Sequence, residues 1–236
     1  MKAWHDGRIV DEKEVLVSPL SHSFSRGTAV FEVLEVVESH RGSALFGLKE
    51  HIERLYRSSR FLHFRLENKI KPESLLDAVR ETVRSNGIRR GIVKMFVYYP
   101  SPEYSCVPTN TSISVAIFCA EFPFVNEKDS FTACISSYRK NHPESVPVHA
   151  KAAGYYVNSY LALMEAAERG FDEAVLLDTM GFVAEGGTSN IFMIKDGMLI
   201  TPSLRSILPG ITRQFILEIA AEFIECRETD VAVAQL

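Results

Sequence analysis

The stretch His149-Ala-Lys-Ala-Ala-Gly-Tyr-Tyr-Val-Asn-Ser159 sets one lysine among small residues, directly before an amphipathic helix read over Val157 to Arg169. Leu161, Met164 and Ala167 form its expected inward face and Gly170 its end. Apolar surroundings disfavour the charged form of a lysine, and a neutral amine is a nucleophile toward carbonyl carbon. One lysine decides nothing alone, so the reading rests on what the rest of the chain sets beside it.

Working outward, Ser206-Ile-Leu-Pro-Gly-Ile-Thr-Arg213 opens the last helix, expected from Ile211 to about Glu225 with Ile216, Ile219, Ala220 and Phe223 on its apolar side. Gly210 permits close backbone approach. The N–H groups of Ile211 and Thr212 fall in the first helical turn, where the dipole favours an anion. Pro-Gly-x-Thr is also an ordinary helix start. Between these stretches lies Ala184-Glu-Gly-Gly-Thr-Ser-Asn-Ile-Phe192, with Glu185 in a glycine-rich turn between strands. Such a turn lets backbone approach a ligand; it also suits a surface hairpin, with Asn190 as a turn-stabilising side chain.

The remaining elements read as mixed α and β. Asp6-Gly7 marks a two-residue hairpin. Ala29 to Glu38 alternates as a strand, and Ala44-Leu-Phe46 can pair with it across His40-Arg-Gly42. Leu48 to Phe61 is helical, with Ile52, Leu55, Tyr56 and Ser59 on one face. A second helix opens at Pro72 and closes at Asn86-Gly87. Ile92 to Tyr99 and Ser112 to Phe118 are strands. Glu121 to Lys128, carrying Pro123, marks a linker. A strand at Phe131 to Ser136 restarts the chain, and strands from Ala174 to Thr201 read as a meander.

The 236 residues allow one large domain or two small ones. A net charge of -4 argues against a nucleic-acid surface. Cys106, Cys119, Cys134 and Cys226 form no CxxC pair and have no metal-like spacing with histidine, so no metal is expected and the thiols read as reduced. His22, His51, His63, His142 and His149 lack the fixed-spacing partners of a metal site or triad and read as structural or surface residues. The N-terminus has no signal-peptide apolar core, and no apolar run approaches membrane-spanning length. A cytoplasmic, membrane-free protein is expected.

The three stretches, in this order, resemble the fold-type IV pyridoxal-phosphate enzymes: branched-chain aminotransferases, D-amino acid aminotransferases and aminodeoxychorismate lyases. The resemblance covers nearly the whole chain. It implies that Lys151 forms the Schiff base with pyridoxal phosphate and carries the proton transfer. Tyr156 would bond the phenolic oxygen, Glu185 would partner the pyridine nitrogen, and Leu208 would support the ring. Gly210, Ile211 and Thr212 would bind phosphate, joined by Arg54 of His51-Ile-Glu-Arg-Leu55. Gly27-Thr-Ala-Val-Phe-Glu32 matches the N-terminal signature, making Phe31 a substrate-pocket aromatic.

Lys94 stands where branched-chain enzymes hold an arginine, and Ile92 where they hold a tyrosine. A lysine attracts a carboxylate as a point charge, without the bidentate fork. The implied fold is α+β in two domains: a smaller N-terminal α/β domain over 1–120, a linker over 121–130, and a larger β-meander or barrel-like domain with helices over 131–236 that carries the lysine. Family members continue past Leu236 into a further strand and loop. The implied activity is ping-pong transamination between an amino acid and a 2-oxo acid in a homodimer, with branched-chain L-amino acids and 2-oxoglutarate first. D-amino acids, aminodeoxychorismate cleavage and a non-catalytic binding relative are the alternatives.

Overall fold

The computed structural model describes residues 1–40, 42–122 and 130–236. The chain divides into two compact units, Met1–Asn126 with Ala150–Gly154, and Glu127–His149 with Tyr155–Leu236. The linker read at 121–130 lies mostly outside the described residues.

In the first unit, β1 (Lys2–His5) and β2 (Arg8–Asp11) form the expected hairpin around Asp6 and Gly7, both at positive φ. A short α1 (His22–Arg26) leads into β3 (Val30–Ser39) and β4 (Gly42–Leu45). Then come α2 (Leu48–Phe61), α3 (Leu66–Lys69) and α4 (Pro72–Asn86), followed by β5 (Gly91–Tyr98) and β6 (Ser114–Ala120). The strands make one antiparallel sheet in the order β2-β1-β6-β5-β3-β4.

Period-two alternation decides which side is core. Val30, Leu34 and Val36 of β3, Val93, Met95 and Val97 of β5, and Val115, Ile117 and Cys119 of β6 are buried. They share this layer with Ile52, Leu55 and Tyr56 of α2 and Leu75, Val79 and Val83 of α4. Each such side chain stabilises the fold by about 1.5–3 kcal/mol on burial. Helix α4 stops where Gly87, at φ 65°, takes the left-handed cap that a side chain would resist. Helices α1 and α3 escape a reading of the sequence because four or five residues show no periodicity.

The lysine stretch is a correction. The sequence assigns it to the C-terminal domain, yet Ala150–Gly154 belongs with the first unit. Phe31 N–H donates to the Lys151 carbonyl at 3.0 Å, Ala153 N–H to Ala29 at 2.7 Å and Gly154 N–H to Gly27 at 2.8 Å. The stretch thus continues the sheet beside the start of β3. Its small residues now have a reason: Ala152 is fully buried, and a Cβ on Gly27 would stand 2.7 Å from Gly154 Cα. Gly27 also sits at φ 66°. Gly27→Ala should therefore lower stability by about 2 kcal/mol or more. Urea unfolding measures this, and an unchanged midpoint would contradict the packing. The first unit is the larger one even without these residues, the reverse of the expected sizes.

The second unit begins with β7 (Ala133–Arg139), α5 (Tyr156–Glu168), β8 (Glu173–Leu177) and β9 (Phe182–Gly186). It continues through β10 (Met193–Lys195), β11 (Met198–Pro202), α6 (Ile211–Ala220), β12 (Glu225–Thr229) and β13 (Val231–Ala232). The expected single meander is instead two sheets, β13-β9-β8-β7 and β10-β11-β12. Strands β7 and β8 pair in parallel, as do β11 and β12, because each pair is joined through a helix.

Both helices turn differently from their predicted faces. Ser159, Ala162 and Ala166 are the buried side of α5, while Leu161 and Met164 are exposed. Small residues let this helix lie close on β7 and β8, so size outweighs hydrophobicity. In α6 the buried residues are Ile211 and Arg213, whereas Ile216, Ile219 and Phe223 are exposed. That helix ends at Ala220, and part of its expected last turn is strand β12.

Candidate functional site

In the first unit, Lys151 Nζ lies 5.2 Å from the centroid of the Phe31 ring. Phe31 stacks on Phe96 at 6.1 Å. Register pairs Phe31 with Phe96 and Val33 with Lys94, so alternation puts Phe31 and Lys94 on the same open face of the sheet. Lys94 is exposed there. The backbone of Lys151 is held as well, its N–H donating to Ser58 Oγ of α2 at 3.0 Å.

Glu32 points to the other, helix-covered face and is fully buried. Arg54 Nε donates to its Oε1 and Arg54 Nη2 to its Oε2, both at 2.7 Å, and His51 Nδ1 stands 2.7 Å from Oε2. Burial alone would raise this carboxyl, but hydrogen bonds from Arg54 and His51 and the charges of Arg54 and Lys151 outweigh it. The carboxyl is held below the ordinary value of 4.5. The arginine implied as a phosphate contact is therefore also half of a buried ion pair.

A group with a depressed folded pKa gives stability that is complete above its unfolded value and lost as pH falls through the folded one. Acid titration of the wild type should accordingly show a loss of stability below pH 4.5 that Glu32→Gln lacks. Identical acid profiles would refute this.

In the second unit, Glu185 of β9 is buried. Lys140 Nζ lies 2.6 Å from its Oε1. Its Oε2 accepts from Leu208 N–H at 3.2 Å and from Asn190 Nδ2 at 3.4 Å. Asn190 Nδ2 also donates to the Leu208 carbonyl at 3.3 Å. A Cβ on Gly210 would collide with Asn190 Oδ1. Asn190 thus ties the Glu185 turn to the stretch that opens α6, a larger role than stabilising a turn. Gly210 is the N-cap of α6 in extended backbone, with no side-chain cap bond. The first-turn N–H groups of Ile211 and Thr212 are therefore not capped by a side chain and suit an anion. Thr212 is exposed there, and Tyr156 opens α5, half-buried. Arg213 is structural: its Nη2 donates to the Pro202 carbonyl at 3.0 Å and to Glu228 at 2.6 Å.

Residues 29–236 match the family model described as amino-transferase class IV. The chain belongs to the class IV aminotransferases. This aminotransferase is 32% identical over 233 residues to the branched-chain-amino-acid aminotransferase of Escherichia coli K12, covering 95% of this chain and 74% of that one. It is 34% identical over 241 residues to a probable branched-chain-amino-acid aminotransferase of Aquifex aeolicus, covering 99% and 77%. The crystal structure of a branched-chain aminotransferase from Thermoproteus uzoniensis with norvaline superposes with a TM-score of 0.95. It shares 37% identity and covers 100% of this chain and 80% of that one. The crystal structure of a branched-chain amino acid aminotransferase from Thermobaculum terrenum, in its PLP-bound holo form, gives a TM-score of 0.91 at 27% identity, covering 99% and 78%.

Sequence reasoning missed Lys140, Glu32 and the linking role of Asn190. Lys140 ends a strand far in sequence from Glu185, and no spacing rule joins them. Glu32 carried a signal that could have been used: an acidic residue at a core-facing position of an alternating strand demands a buried partner. Among the described residues no group of three or more His, Cys, Asp or Glu could hold a metal ion, and no helix is long and apolar enough to cross a membrane.

Proposed function

We propose that this class IV aminotransferase moves the amino group of branched-chain L-amino acids to 2-oxoglutarate, with pyridoxal phosphate as cofactor and ping-pong kinetics. The observation that carries the reading is Lys151, its amine set over the Phe31 ring by backbone bonds to Ala29, Gly27 and Ser58. The groups present suit the cofactor: an amine for the aldehyde, a helix N-terminus without a side-chain cap for the phosphate, and a buried carboxylate for the pyridine nitrogen. Both Glu185 oxygens already accept bonds, but an ionised carboxylate has about four acceptor sites and can take one more N–H. When bound, pyridoxal phosphate supplies an electron sink for the substrate's α-carbon.

The chain's own residues do the rest. Lys151 would hold the cofactor through its amine, and the same amine would take the substrate's α-proton and return it. Glu185 would partner the ring nitrogen and favour its protonated form, with Lys140 holding the carboxylate in place. Ile211, Thr212 and Gly210 would bind phosphate, as would Arg54, while Tyr156 and Leu208 would orient the ring. Phe31 offers an apolar wall to a branched side chain, and Lys94 a positive charge to a carboxylate.

A homodimer in the cytoplasm completes the reading. Leu16, Val17, Leu20 and Phe24 are exposed apolar side chains that suit a protein contact, and four free thiols suit a reducing compartment. Steady-state assays decide the substrate: L-leucine should be turned over faster than D-alanine or aminodeoxychorismate. Preference for either of those overturns the substrate assignment. A purified protein that gains no visible cofactor band on addition of pyridoxal phosphate overturns the cofactor assignment. Sedimentation at a single monomer mass overturns the dimer.

A further inference from the structure

Glu32 is fully buried on β3, and a lone carboxylate there would be very unfavourable. Its partners Arg54 and His51 are buried too. Well-packed apolar side chains of similar volume usually serve stability as well as a buried ion pair does. Folding alone therefore gives no reason for charge at this place, whereas orientation does. Arg54 is gripped at Nε and Nη2 by the two oxygens of one carboxylate. That fork stops rotation about the last torsion of the side chain, so the guanidinium is presented in one direction. His51 Nδ1, bonded to Glu32 Oε2, braces the carboxylate in turn.

The same helix also carries the lysine's support. Arg54 and Ser58 are four residues apart on α2 and share a face, and Ser58 Oγ holds the Lys151 N–H. One carboxylate on β3 therefore orients a guanidinium one turn away from the hydroxyl that fixes the lysine backbone.

We propose that Glu32, braced by His51, is a positioning residue that aims Arg54 at the phosphate of the cofactor, so that this unit selects the phosphorylated cofactor over its dephosphorylated form. The inference rests on the reading above, in which Arg54 meets that phosphate. The replacement Glu32→Gln swaps an acceptor for an NH₂ that opposes the arginine donors, which releases or misdirects the guanidinium.

The test is spectral titration of the full chain with pyridoxal phosphate and, separately, with pyridoxal, following the cofactor band. In the wild type the phosphate form binds more tightly, and Glu32→Gln reduces that preference by about tenfold or more. Adding Glu32→Gln to Arg54→Ala should reduce it no further, because both act through one group. A merely structural glutamate would weaken both ligands alike and leave the ratio unchanged, and that result overturns the proposal. If Glu32→Gln does not fold, Glu32→Asp carries the test. It keeps the charge but withdraws the carboxylate by one methylene, and an unchanged ratio in it likewise overturns the proposal. A wild type that binds neither ligand removes the cofactor reading and this inference with it, whereas a wild type that discriminates while the variants discriminate equally sinks the inference alone.

Discussion

Lys151→Ala should lower transamination by about 10⁴-fold or more, since on the proposed reading it removes both the covalent anchor and the group that moves the α-proton. The fold should survive. The contacts that hold this stretch come from the Lys151 N–H and carbonyl and from Ala153 and Gly154, all of which an alanine retains. Circular dichroism and urea unfolding should thus match the wild type while turnover disappears. Pyridoxal phosphate should still bind, because the residues proposed for its phosphate are others, but its band should change. Full turnover in Lys151→Ala would remove the lysine from the mechanism.

Glu185→Gln should have two separable effects. On the proposed reading, losing the negative charge meant for the ring nitrogen lowers turnover by about 10²-fold or more, the scale seen when one preorganised electrostatic partner is removed. It also leaves Lys140, only 12% exposed, without its counter-charge. Breaking such a buried pair costs about 3 kcal/mol. A companion variant distinguishes the two effects. Lys140→Met breaks the same ion pair but leaves the carboxylate, so it should be destabilised with a smaller loss of turnover. If Glu185→Gln is destabilised yet keeps its turnover, Glu185 is only the structural partner of Lys140.

The candidate site was legible because it is written in short contiguous strings. The lysine stretch, the Glu185 turn and the Pro209-Gly210 helix start each keep their residues within about one helical turn or one hairpin of each other. Strand β3 was legible for a similar reason, since alternation over ten residues is a local property. The limits of such reading show in α5. Periodicity located the helix, but the three inward residues expected for it are all outside its buried set, because close approach to two strands selects small side chains over large ones.

The sequence by itself determined the longer helices and strands of the first unit and located the lysine stretch, the Glu185 turn and the start of α6, all of which follow from local backbone and side-chain chemistry. Only the tertiary structure decided that the lysine stretch extends the first unit's sheet, that Lys140 and Asn190 hold Glu185, and that Glu32 and His51 hold Arg54. The physical reason is that buried charges and hydrogen-bond donors must be satisfied by whichever partner the folded chain brings within about 3 Å. Separation along the sequence carries no information about which partner that is.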